Sequence, residues 1–214
     1  MRNTVLLAAT LALAVVLVLG FTTAASCQPH GHGWFVGAAS YLHYADSAGK
    51  VTSAPFPGAV YAATMNWDNR TALVLDSSLK SILMYDPQNL AVVGTFFTDP
   101  MLSSASSVWD MTFDSNGDLF FSSTSPQKGV FKISQPSWTL STVGTFGTTG
   151  VANLSLDSLT GELLAASGST GQTVVYSMTR DGSTITTLGT GFVTRYGTYR
   201  HPLTGDIYSG TCCT

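Results

Sequence analysis

The segment Asp114-Ser115-Asn116-Gly117-Asp118 has alternating oxygen side chains, the arrangement with which a short loop can hold Ca²⁺. It lacks the distal bidentate Glu of an EF-hand, and a hairpin turn explains the same residues, with Asp and Asn bonding back to local amides. His30 and His32 follow Cys27 closely and have the chemistry for Cu or Ni, but the surrounding Gln-Pro-His-Gly-His reads as a flexible polar linker. His43 falls in a predicted strand and His201 in a predicted turn, neither with a visible Ser or Asp partner in a catalytic arrangement. Cys27, Cys212 and Cys213 are an odd set without CxxC spacing, so a zinc site is unsupported. The vicinal Cys212 and Cys213 are a disulfide candidate, and pairing with another chain or free thiols stay open. No nucleophile elbow or phosphate loop is present.

The elements that must position these groups are strands. Charged residues make up only 10% of the 214-residue chain, with a single Glu, Glu162, so long exposed helices are disfavoured. Gly is plentiful at 21, as expected of many short strands joined by turns. A net charge of −3 leaves no basic footprint, so no nucleic-acid partner is expected. The first twenty-six residues stand apart. Arg2 is their only charge, an apolar run extends from Val5 to Gly20, and small residues follow through Ser26. That is the three-part layout of a signal peptide, with an uncleaved membrane anchor as the alternative. The domain reading is therefore a signal peptide at 1–26, a linker at 27–34 and a β-repeat domain at 35–211.

Within that domain the chain repeats itself. Asp68, Asp114, Asp157 and His201 stand at steps of 46, 43 and 44 residues, each in a turn after a short apolar strand. Asp157-Ser-Leu-Thr-Gly161-Glu and His201-Pro-Leu-Thr-Gly205-Asp are nearly the same turn. Third strands are predicted at Ile82–Tyr85, Val130–Ile133 and Thr173–Tyr176. Fourth strands end on Val93-Gly-Thr-Phe96, Val143-Gly-Thr-Phe146 and Leu188-Gly-Thr-Gly-Phe192. Four short strands in about 45 residues is the period of a β-propeller blade. The fold class is all-β. Tyr41–Tyr44 reads as the third strand of a half-blade and residues 195–210 as the complementary first hairpin. Pairing those halves would close a four-bladed ring, and an open half-propeller is the alternative.

The hairpin Met111 to Phe120, apolar-x-apolar-Asp-x-x-Gly-Asp-Leu-aromatic, resembles the NHL and gluconolactonase-like propeller superfamily, as a blade pattern running from about Tyr41 to Gly210. The resemblance implies that a residue three or four before each turn residue opens onto the central channel. Here that column is Thr64, Asp110, Asn153 and Gly197. Lactonase-type members hold a divalent metal there, which makes Asp110 and Asn153 candidate ligands for a cation such as Ca²⁺, with strand-start capping as the structural alternative. Neither the acid nor the full ligand set of a lactonase can be matched. Ala24-Ala25-Ser26-Cys27 resembles the lipobox of bacterial lipoproteins, with Ala24 where that motif prefers Leu, and implies acylation of Cys27.

These readings predict an exported, non-catalytic binding propeller for an unknown protein or small-molecule ligand, secreted, periplasmic or held to the envelope through Cys27. Two alternatives accompany it. One is a metal-dependent lactonase or hydrolase at the channel mouth. The other is a fragment of a larger propeller without activity of its own, which would pair as a homodimer or aggregate through its unpaired sheet edges. Asn69-Arg-Thr71 and Asn153-Leu-Ser155 are glycosylation sequons in a eukaryotic secretory pathway.

Overall fold

The computed structural model describes residues 29–30, 33–38, 41–46, 48–56, 62–65, 71–76, 79–102, 108–124, 127–147, 150–167, 173–192 and 196–210. Cys27, Cys212, Cys213, the leader and the first turn residue, Asp68, lie outside them.

Eighteen strands among these residues form five antiparallel sheets that follow one another along the chain. The first contains β1 (Pro29–His30), β2 (Gly33–Ala38), β3 (Tyr41–Asp46) and β4 (Val51–Pro55). The second contains β5 (Ala63–Met65), β6 (Ala72–Asp76), β7 (Ser81–Tyr85) and β8 (Val92–Thr98), and the third β9 (Val108–Phe113), β10 (Leu119–Ser123), β11 (Gly129–Ser134) and β12 (Thr139–Thr145). The fourth is β13 (Val151–Leu156), β14 (Leu163–Ser167), β15 (Thr173–Met178) and β16 (Ile185–Phe192). A two-stranded sheet of β17 (Tyr196–Arg200) and β18 (Ile207–Gly210) follows. The turn residues Asp114, Asp157 and His201 and the third- and fourth-strand landmarks read from the repeat fall where the four-stranded blade pattern requires.

The two ends differ from expectation. Tyr41 does not open a half-blade, because β2 pairs with β3 from Gly33↔Asp46 to Ala38↔Tyr41 and completes a four-stranded first sheet. Strand pairing already starts at Pro29↔Trp34, inside the stretch read as a linker. With four strands of its own, the first sheet has no vacancy for β17 and β18, which pair with each other. Closure by complementary terminal halves is therefore not how these sheets are arranged. The alternation of β3, with Leu42 buried and Tyr41 exposed, is that of a strand with one covered face; it does not reveal whether another strand precedes it.

Second strands are the most hidden. Every residue of β10 and of β14 is buried, because sheets pack on both of their faces. Leu119 and Phe121 join Leu73, Leu75, Ile82 and Met111 between the second and third sheets, while Phe120 joins Leu154, Leu163 and Met178 between the third and fourth. Leu42 and Phe56 meet Val74, Leu83 and Tyr85 between the first and second. This double burial explains why LFFSS and LLAAS show little of the polar alternation of a one-sided strand. Outer strands β4, β8 and β12 return to exposed alternation.

Sheets also approach through backbone. Gly182, in the turn between β15 and β16, has φ +74, and a Cβ there would lie 1.8 Å from the Val143 carbonyl oxygen of the neighbouring sheet. Gly161 has φ +72 but faces open space. Gly182→Ala should therefore lower unfolding free energy by more than about 2 kcal/mol, against roughly 1 kcal/mol for Gly161→Ala, where only backbone strain acts. Urea melts of the two variants check this, and equal losses would contradict the close approach.

Candidate functional site

The innermost strands β5, β9, β13 and β17 lie beside one another in chain order and carry the candidate column. Thr64 on β5, Asp110 on β9 and Asn153 on β13 are all buried, at 2%, 2% and 4% exposure. The sequence thus places three polar side chains on adjacent inner strands, where apolar ones would ordinarily sit. The register of β9 shifts between its pairs Ser122↔Asp110 and Ser123↔Val108, and that of β13 shifts just before Asn153. These bulges re-aim the side chains at the strand starts. In β17 the shift falls at Gly197 itself, between Tyr196 and Thr198.

The chemistry of Asp110 follows from its two oxygens. Oδ1 accepts the Met111 N–H of its own strand at 2.9 Å, and Oδ2 accepts the Leu154 N–H of the next sheet at 3.0 Å. Local capping is therefore one part of its role. The other part, which no pattern within β9 reveals, is a tie between two sheets 44 residues apart. The amide that Asp110 binds belongs to the residue that follows Asn153. Among the described residues no three His, Cys, Asp or Glu side chains gather as a metal site would require. Burial of Asn153 also leaves its sequon without room for a glycan.

The oxygen-rich loop at Asp114 proves to be the hairpin turn. Asp114 Oδ1 accepts the amides of Asn116 at 2.9 Å and Asp118 at 3.0 Å, and Oδ2 meets Arg180 Nη1 of the fourth sheet at 3.0 Å. Asp157 repeats the plan. Its Oδ1 accepts the Leu159 amide at 2.9 Å, its Oδ2 the Thr160 hydroxyl at 2.9 Å, and Arg200 Nε of β17 approaches Oδ2 to 2.6 Å. At the fourth copy His201 replaces Asp, and Nδ1 accepts from the Leu203 and Thr204 amides at 3.3 and 3.2 Å. A ring nitrogen thus reproduces the carboxylate's turn-closing function. The sequence marked these turns, but not the arginines, which arrive from the following sheet.

One pairing was not read from the sequence. His43 does have a serine partner, because β3 and β4 pair His43 directly with Ser53 and their Nδ1 and Oγ lie 2.8 Å apart. Burial pulls the His43 pKa below its ordinary value.

Comparison with solved structures places the architecture. A structural-genomics protein assigned as a gluconolactonase matches with a TM-score of 0.58 at 15% identity, over 79% of this chain and 64% of that one. The Cps50 (Swd1) β-propeller domain of Myceliophteria thermophila matches with a TM-score of 0.54 at 14% identity, over 78% and 59%. The extracellular domain of a protein assigned as a hybrid two-component system from B. thetaiotaomicron matches with a TM-score of 0.53 at 18% identity, over 78% and 22%. The fold is that of a β-propeller. The chain spans less than two thirds of each of these structures. No protein-family model and no curated protein matches the sequence.

Asp157 gives a pH dependence of stability. Burial is the largest single influence and pushes its pKa up, but the Leu159 and Thr160 hydrogen bonds and the Arg200 charge together hold it below the ordinary 3.8. The unfolded chain therefore binds this proton more readily than the folded one. Its stabilising contribution is complete above about pH 4 and is lost as pH falls through the lowered folded value. Asp157→Asn should lose roughly 2 kcal/mol at pH 7 and show a shallower stability decline below pH 4 in denaturant titrations. Parallel pH profiles would contradict the assignment.

Proposed function

We propose that this chain is an exported, non-catalytic binding propeller. The observation that carries the reading is the engagement of Asp110. The one acid in the candidate column bonds the backbone of two sheets, as a structural carboxylate does, and the same polar strand starts that suggested chemistry hold the scaffold together. Recognition then belongs to the loops on the rigid strands, and the ligand is a protein or small molecule. The three similar propellers differ in their assigned roles, which fits a scaffold whose activity is set by loops.

Export is supported by the Arg2-led apolar run and the small residues before Cys27. Destinations are the periplasm, the medium or, with Cys27 acylated, the envelope surface. The described residues contain no helix long and apolar enough to cross a membrane.

A second reading, a metal-dependent hydrolase of the lactonase type, draws on the adjacency of Asp110 and Asn153 and on the likeness to a protein assigned as a gluconolactonase. Calcium-dependent melting separates the two. A site with a millimolar dissociation constant would raise stability by about 1.4 kcal/mol at 10 mM Ca²⁺. The scaffold reading expects no shift in melting temperature. It also expects Asp110→Ala to cost roughly 3 kcal/mol with or without calcium, because two buried amides lose their acceptor. A calcium-induced rise that Asp110→Asn removes would support the hydrolase instead.

A further inference from the structure

The face of the first sheet turned away from the second carries Tyr41, His43 and Ser53, while Leu42, Tyr44 and Ala54 on the opposite face join or pack against the core. Alternation along β3 and β4 places these groups on opposite sides. On the outward face Ser53 is exposed and its hydroxyl oxygen lies 2.8 Å from His43 Nδ1. The Tyr41 ring stacks against the imidazole, with centroids 6.1 Å apart and planes inclined by 22°. His43 Nε2 is buried and has no hydrogen-bond partner among the described residues, so within them the polar contact of the ring is with the serine.

A serine hydroxyl is a weak nucleophile until an adjacent base accepts its proton, and a base is most useful when a third group holds its orientation. These three parts are present. Ser53 offers the hydroxyl, His43 the base and Tyr41 the surface that fixes the ring plane. We propose that Ser53 is a reactive nucleophile, activated by His43, that takes an acyl group from activated esters. Its Oγ attacks the ester carbonyl and the hydroxyl proton passes to Nδ1 while Nε2 keeps its own. The bond from carbonyl carbon to the leaving oxygen then breaks, and the leaving oxyanion recovers the proton from Nδ1. The products are an acyl ester on Ser53, a free alcohol or phenol and a neutral imidazole. Burial of the ring favours its neutral form, the form this proton transfer requires. The site is built on β3 and β4 alone and does not depend on Asp110 or on the binding reading of the propeller.

The test is incubation of the full chain with p-nitrophenyl acetate, followed by the release of p-nitrophenolate and by peptide mapping. The expected result is a burst of about one equivalent with the acetyl group on Ser53. His43→Gln, which retains a polar partner for the hydroxyl, should slow the burst by about 100-fold. Ser53→Ala removes only an exposed hydroxyl and should abolish the adduct with an unchanged circular dichroism spectrum, which guards against loss of fold in the histidine variant. No burst, acetylation confined to lysines or tyrosines, or an unchanged rate in folded His43→Gln would each overturn the proposal.

Discussion

A four-stranded sheet with apolar residues on both faces cannot cover either face by itself. Every other feature of this structure depends on that constraint. Phe120 points to one neighbour while Leu119 and Phe121 point to the other, so β10 is stable only when the second and fourth sheets flank it. At roughly 25 cal/mol per Å² of apolar surface removed from water, these layers supply the main driving force. They do not, however, fix the angle or register at which one sheet meets the next. Apolar packing is non-directional.

Direction comes from a small set of polar ties. Asp110 bonds the Leu154 amide, Ser155 Oγ donates to the Thr198 carbonyl at 2.5 Å, Arg180 reaches Asp114, and Arg200 reaches Asp157. Each joins a sheet to the one before or after it, and each has a fixed geometry. The two arginine ties combine with the hairpin turns. The carboxylate closing a turn within one sheet also receives a cation from the next, so the local fold of the hairpin prepares the anchor that its neighbour uses. Where no following sheet is described, at His201, an imidazole ring closes the turn.

The repeat, the four-strand unit, the turn residues and the second strands' apolar runs were legible because they are local. Each rests on a short stretch with the right turn former or period. The first sheet was misread for the same reason. Gly33–Ala38, sequence GWFVGA, contains two glycines and has no matching turn signature before Tyr41, so the pattern did not mark it as a strand. Its place is set by pairing with β3. The column of Thr64, Asp110 and Asn153 was found from its offset to the turns, but its principal bond was not, since Leu154 N is donated by a different repeat. His43 was singled out as a residue but its pairing with Ser53 was missed, because neither strand alone shows what stands opposite.

The amino-acid sequence by itself determined the all-β class, the blade period and the hairpin turns. Those depend on backbone preferences and hydrophobic pattern over a few residues. Tertiary structure decided which strands complete the terminal sheets, which backbone amides satisfy Asp110, and which side chains meet the turn carboxylates and the His43 imidazole. These contacts join residues ten to sixty-six positions apart. A buried carboxylate needs donors wherever the fold can bring them, and only packing of one sheet on the next determines which donors arrive.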